Sequence, residues 1–212
     1  MRQSRKNRNL VVPTFSFVVE GETEIWYLQM LKRNEQKLRI NIEPKLPQRK
    51  SIEEQYHLVT SLAKREYSKI FWIIDLDVII KESRVNQKDN LTPLQRLIKC
   101  KEELKKNYKN VTVIINNPCL EFWFLLHYKE TSKLFNTCNE AAKELKKYLQ
   151  DYEKTQKYYT KQDNDIYLKL KSHLKNAISN SSKLGEFDLN NQSKTICEMF
   201  LLFEADELKK IL

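Results

Sequence analysis

Thr14-Phe15-Ser16-Phe17-Val18-Val19 runs straight into Glu20-Gly21-Glu22-Thr23-Glu24, and Ile70-Phe71-Trp72-Ile73-Ile74 runs straight into Asp75-Leu76-Asp77. Each is a short apolar run, the length of a buried strand, ended by a cluster of acids. In open α/β sheets, ligands bind outside the carboxyl ends of the strands. Carboxylates delivered there from two strands repel one another unless a cation lies between them. Mg²⁺ takes hard oxygen ligands and keeps positions open for substrate phosphates, so the pattern points to a phosphodiester-handling metal site.

The rest of the chain supports that frame. Gly21 supplies a turn, and Ile25, Leu28 and Leu31 follow at helical spacing from about Thr23. Leu38, Ile40 and Ile42 alternate with polar residues as in a strand, with Pro44 and Pro47 marking a sheet edge or strand end. Ile52, Tyr56, Val59, Leu62 and Ala63 recur as on a helix. Residues 81–90 read as a polar surface loop. Thr92-Pro93-Leu94-Gln95 is a helix start, with Thr92 and Gln95 forming a capping box and Pro93 at the first position. Val111 to Ile115 is a further apolar, β-branched strand, and Asn117-Pro118 breaks it. Leu120 to Leu126 is apolar apart from Glu121 and reads as a short buried helix, with Asn117 as its cap.

Residues 14–127 therefore alternate strand and helix. That predicts an α/β fold with a mostly parallel sheet and helices on both faces. Beyond residue 130 only helices are expected, the first behind a Thr137/Glu140 capping box. The expected organisation is a basic arm over residues 1–12, an α/β domain over 13–130, and a C-terminal helical extension over 131–212 packed on it. Tyr152, Tyr158, Tyr159 and Tyr167 alternate with lysines in that extension. They read as the rim of an amphipathic cover rather than as stacking platforms for single-stranded nucleic acid.

Composition narrows the function class. Hydrophobic residues make up 41%, which supports a real core. No apolar run could span a bilayer, and the basic N-terminus lacks the apolar segment of a secretory signal, so a cytoplasmic protein without a membrane partner is expected. The four cysteines, Cys100, Cys119, Cys138 and Cys197, form no Cys-x-x-Cys pair, so packed reduced thiols are expected rather than a zinc site. The net charge of +10 suits capture of polyanions such as RNA or DNA. With Gly21 and Gly185 as its two glycines, the chain cannot form a glycine-rich phosphate loop, so any ATPase must be another chain.

Val19-Glu20-Gly21-Glu22-Thr23-Glu24 followed by Asp75-Leu76-Asp77 resembles the Toprim domain of topoisomerases, bacterial primases and OLD-type nucleases. With Arg5-Lys6-Asn7-Arg8, Trp72-Ile73-Ile74-Asp75 and above all Asn117-Pro118-Cys119-Leu120-Glu121-Phe122-Trp123, the chain resembles the RloB-like family over most of residues 5–130, and only loosely in the helical tail. The resemblance implies a Toprim-like fold and phosphodiester hydrolysis dependent on Mg²⁺ (or Mn²⁺). It implies a nuclease effector of a phage-defence or abortive-infection system, acting on nucleic acid, RNA or tRNA among the substrates, with a partner ATPase encoded nearby. Glu20 is then the general base or a metal ligand, Asp75 and Asp77 hold the ion, Glu24 completes the shell, and Glu121 joins the site. The alternative is a non-catalytic nucleic-acid-binding or regulatory subunit of that ATPase. His127 reads as a packed histidine at the rim.

Overall fold

The computed structural model describes residues 13–44, 50–85, 91–188, 191 and 194–209. The basic arm, Pro47 and the 86–90 part of the expected polar loop lie outside them. The chain begins with β1 (Thr14–Val18), α1 (Glu22–Asn34), β2 (Arg39–Glu43), α2 (Ile52–Ala63) and β3 (Lys69–Asp75). It continues through α3 (Leu76–Val85), α4 (Pro93–Asn107), β4 (Val111–Asn117) and α5 (Leu120–Leu126). Six short elements follow: α6 (Cys138–Leu145), α7 (Gln156–Tyr159), α8 (Ile166–Lys171), α9 (Leu174–Ser182), β5 (Ile196–Cys197) and α10 (Phe200–Phe203), before α11 (Asp206–Lys209).

The strands form one sheet in the order β2-β1-β3-β4-β5. The first three pairings are parallel, and β4 with β5 is antiparallel. β2 is an edge strand, in line with the prolines that follow it. The chain moves from β1 to one side to make β2, then returns to the other side to make β3. The crevice between β1 and β3 is thus the topological switch point, where open α/β sheets hold ligands.

Alternation along the strands divides the core in two. Phe15, Phe17, Phe71, Ile73 and Ile114 face α1, α5 and the C-terminal helices. Val18, Ile70, Trp72, Ile74, Val113 and Ile115 face α2, α3 and α4. Burial on both faces is why these strands read as continuous apolar runs. On the second face the Trp72 indole N–H donates to Gln55 Oε1 at 2.8 Å, so the buried amide and indole satisfy each other. The Thr92/Gln95 capping box is present, and a second one at Ser51/Glu54 starts α2.

Four expectations are corrected. Residues 81–85 are helical, because α3 begins at Leu76 with no spacer after β3 and runs on through the polar stretch. The segment beyond 130 is not helical throughout: the two residues of β5 pair with Asn116 and Asn117 of β4. Glu140 does not close a box with Thr137; Thr137 caps α6, while the Glu140 side chain accepts from the Asn136 N–H at 3.0 Å. Tyr152, Tyr158, Tyr159 and Tyr167 are buried within the core and not at its rim.

Candidate functional site at the switch point

β1 and β3 run side by side, with Val18 opposite Trp72, so the acids that follow each strand emerge at the same edge. Glu20, Glu24, Asp75 and Asp77 line one cavity of about 540 Å³, together with Gly21, Trp26, Cys138 and Lys154. All four acids singled out in the sequence are therefore brought together.

Glu24 lies in the first turn of α1 and is 5% exposed. Gly21, the N-cap of that helix, makes its placement possible: a Cβ at Gly21 would collide with Glu24 Oε2. Thr23 Oγ1 donates to Glu24 Oε1 at 3.2 Å. Asp75 is the last residue of β3 and accepts two hydrogen bonds, from the Leu120 N–H at the start of α5 and from Asn116 Nδ2, each at 3.3 Å. Asp77 lies in the first turn of α3, near Lys81 at 3.6 Å, and its N–H donates to the Pro118 carbonyl at 3.3 Å.

Glu121 is 1% exposed and stands behind this set. Its Oε1 meets Lys154 Nζ at 2.7 Å and accepts from the Tyr152 hydroxyl at 3.1 Å. Tyr152 in turn shares a 2.7 Å hydrogen bond with Tyr159. Glu121 Oε2 lies 3.0 Å from Cys119 Sγ and 3.5 Å from Cys138 Sγ.

The electrostatics of the site are those of like charges forced together. Burial raises the proton affinity of Asp75 well above the ordinary carboxylate range, and the charges of Glu24 and Glu121 raise it further. Burial also raises Glu24; its own backbone hydrogen bond works against the shift, and Glu121 adds to it. A hydrogen bond joins Glu24 and Asp75, which keeps a proton between them at an acidity where isolated carboxyls have lost theirs. Burial disfavours the Lys154 charge, but Glu121, Glu24 and Asp75 outweigh it and hold the ammonium on.

These donors suit a hard divalent cation. They are carboxylate oxygens, burial and neighbouring carboxylates make Glu24 and Asp75 hold protons tightly, and the buried Asn116 Oδ1 beside Asp75 has no partner among the described residues. Glu20, Glu24, Asp75 and Asp77 are the residues that could hold it.

The cavity continues on both sides. Asp77 is shared with a cavity of about 440 Å³ that Lys81, Arg84, Gln95, Asn117 and Phe135 help to line. Cys138 and Lys154 are shared with one of about 320 Å³ that Glu121, Lys143 and Lys146 help to line. Both extensions bring cations to the flanks of the acidic centre, as a polyanion would require.

Some placements differ from expectation. Asn117 is not the cap of α5; Cys119 takes that position, and Asn117 Nδ2 donates to the Lys194 carbonyl at 2.8 Å beside β5. His127 is fully buried rather than at a rim: its Nδ1 contacts the Trp123 carbonyl at 2.9 Å, and burial lowers its pKa to about 3. The cysteines are not all reduced thiols, because Cys119 and Cys138 are joined by a disulfide; Cys100 and Cys197 are free. Sequence reasoning misses Lys154, since nothing distinguishes it from the other lysines between 146 and 171. Cys119 stands inside the Asn-Pro-Cys-x-Glu-x-Trp block, so its position carries a signal that its partner 19 residues on does not.

A family model described as RloB-like protein matches residues 15–205. No curated protein matches the chain. No solved structure matches it either. Among the described residues, no helix is long and apolar enough to cross a membrane.

Proposed function

The chain belongs to the RloB-like protein family, and from that premise we propose that it is a nuclease dependent on Mg²⁺ or Mn²⁺, the effector of a phage-defence system that works with a partner ATPase. The observation that carries the reading is the meeting of Glu24, Asp75 and Glu121, from three different elements, with the proton affinities of Glu24 and Asp75 raised by burial and by neighbouring carboxylates. A chain with no use for a cation has no reason to assemble such a set.

The metal, held by Glu24, Asp75 and Asp77, would offset negative charge on the attacked phosphate and the leaving oxygen. The chain's own groups do the rest. Glu20, following β1 at the cavity edge, accepts the proton of the attacking water. Lys154 faces the same cavity and offers a positive charge to the phosphate. Lys81 and Arg84 in the adjoining cavity hold the phosphates of flanking nucleotides. Asn116 and the Leu120 amide fix the orientation of Asp75. The excess of lysine and arginine draws the polyanion to this edge, which makes binding steeply dependent on salt.

The test is incubation of the purified chain with tRNA and with DNA, in Mg²⁺, in Mn²⁺ and in EDTA, alone and with the ATPase encoded beside it. Cleavage should require the divalent ion and should fail with Asp77→Ala. Co-expression with the ATPase under phage challenge should arrest growth for the wild type and not for Asp77→Ala. A folded chain that binds nucleic acid in every condition and cuts it in none would replace this reading with that of a regulatory subunit.

A further inference from the structure

We infer that the reduced chain carries a second kind of metal site, in which the thiolates of Cys119 and Cys138 join the Asp75 carboxylate to bind a borderline-soft divalent cation of the Zn²⁺ class. One ligand atom from each of Asp75, Cys119 and Cys138 lies within 4.8 Å of the other two. The Glu121 carboxylate, in contact with both sulfurs, is the fourth donor.

The geometry suits that ion. Tetrahedral Zn²⁺ with Zn–S bonds of about 2.3 Å places two sulfurs roughly 3.8 Å apart. The Cα atoms of Cys119 and Cys138 are 5.8 Å apart, and torsion about each Cα–Cβ bond adjusts the sulfurs without moving backbone. The carboxyl ligand is already oriented by the Leu120 amide and Asn116, the outer support that metal-ligating side chains use. Each sulfur comes from a different element: Cys119 ends the β4–α5 turn and Cys138 opens α6. Two thiolates also select against Mg²⁺, which prefers oxygen, so this donor set differs chemically from the all-carboxylate set with which it shares Asp75.

The site exists only when the disulfide is open. A dithiol reagent gives two electrons to the Cys119–Cys138 bond; the S–S bond breaks, two S–H bonds form with the reagent's protons, and the reagent closes into its own disulfide. Cation binding then releases both thiol protons to solvent.

Cobalt(II) is the probe, since its thiolate complexes absorb by charge transfer and its carboxylate complexes do not. The full-length chain is reduced with a dithiol, freed of reagent without air, and titrated. One equivalent of Co²⁺ should bind with thiolate charge-transfer absorption, and Zn²⁺ should displace it. Cys138→Ser should weaken binding by more than the roughly ten- to hundredfold that loss of an outer-shell partner costs, and should abolish the band. Asp75→Asn should shift the band, Cys100→Ser should leave it unchanged, and re-oxidation of the wild type should remove it. Cys138 is the variant of choice because it is only half buried, and its melting curve checks folding. Absence of the band in reduced wild type, or its persistence in Cys138→Ser, overturns the inference. Stabilisation of Cys138→Ser by Mg²⁺ is measured alongside, because that variant keeps all four acids of the nuclease site. If the band is absent and the Mg²⁺ effect present, this inference alone fails; with the band present and the Mg²⁺ effect absent, the nuclease reading alone fails.

Discussion

Glu198 and the Glu24–Asp75–Glu121 cluster both hold acid away from water, with Asp75 half-buried and the others buried, yet they are built in opposite ways. Glu198 is wholly buried, and its carboxylate is fully answered. Oε2 accepts from the Ile115 N–H at 2.8 Å, and Oε1 accepts from the Phe187 N–H at 2.8 Å and from Lys101 Nζ at 3.2 Å. Asp165 follows the same plan, with Arg33 at 2.6 Å, Asn34 at 2.9 Å and the Leu168 N–H at 3.0 Å. These are joints: Glu198 fastens the segment around β5 to β4, and Asp165 fastens α8 to α1. The cluster has three carboxylates near one another, and among the described residues Lys154 forms an ion pair with Glu121 alone of the three. Buried charge with matched donors holds a fold together; buried charge without them is held in readiness for something else.

The comparison breaks first on activity. On the proposed nuclease reading, Asp75→Asn or Glu24→Gln should lower turnover by about a hundredfold to a thousandfold while the chain stays folded, because each removes charge stabilisation needed only during the reaction. Glu198→Gln should leave turnover within a few-fold in whatever fraction folds. Single-turnover cleavage, normalised to folded protein, separates the two. Equal losses in all three would mean that the cluster is only another joint.

It breaks next on stability. Glu198→Ala leaves Lys101 and two amides without their acceptor, and should cost about 3–5 kcal/mol. Asp75→Ala should cost far less in EDTA, since it relieves repulsion while releasing two long hydrogen bonds. Urea unfolding followed by circular dichroism measures both.

Acidity sharpens the contrast. Asp75 and Glu24 bind protons more tightly in the folded than in the unfolded chain. In EDTA their contribution to stability is therefore greatest below the unfolded carboxylate range, about pH 4, and is lost as pH rises through their folded values. Buried, neutral His127 contributes in the opposite sense over the same range, so the effect is read as a difference: relative to Asp75→Asn, the wild type should lose stability from about pH 4 towards neutrality. Saturating Mg²⁺ should restore stability at neutral pH, by about 2.7 kcal/mol at a hundredfold excess over Kd. Parallel pH profiles of wild type and Asp75→Asn in EDTA, or equal Mg²⁺ effects in the two, would count against cation binding by these acids.

How far the sequence reveals these two kinds of acid follows from how each is built. β1, β3 and β4 are buried on both faces, so apolarity alone marks them, and the acids at the ends of the first two emerge together by parallel pairing. Glu121 stands out as one acid in an apolar helix. Glu198 stands likewise as one acid in the apolar run from Ile196 to Phe203, so the sequence does not separate the two; its partners, the Ile115 and Phe187 amides and Lys101, come from other segments. β5 has two residues and exists through its pairing with β4, which no local period can show. The buried tyrosines of the extension are masked by intervening lysines. The Cys119–Cys138 pair joins positions that no short motif connects.

The smallest effect tests where Glu121 belongs. Its partner Lys154 has a side chain 52% exposed, so water shares the ammonium and screens the pair. Lys154→Met should then cost only about 0.5–1 kcal/mol at neutral pH in EDTA. The loss should vanish in Mg²⁺, because a divalent ion supplies the charge that Lys154 otherwise contributes. In the same variant Asp75 and Glu24 should hold their protons to still higher pH, which carbonyl-region infrared spectroscopy of isotope-labelled carboxyls can follow. A cost of several kcal/mol, unchanged by Mg²⁺, would mean that Lys154 answers Glu121 as Lys101 answers Glu198. Glu121 would then be a joint that happens to border the cleft, and the acidic centre would shrink to the carboxylates that follow β1 and β3.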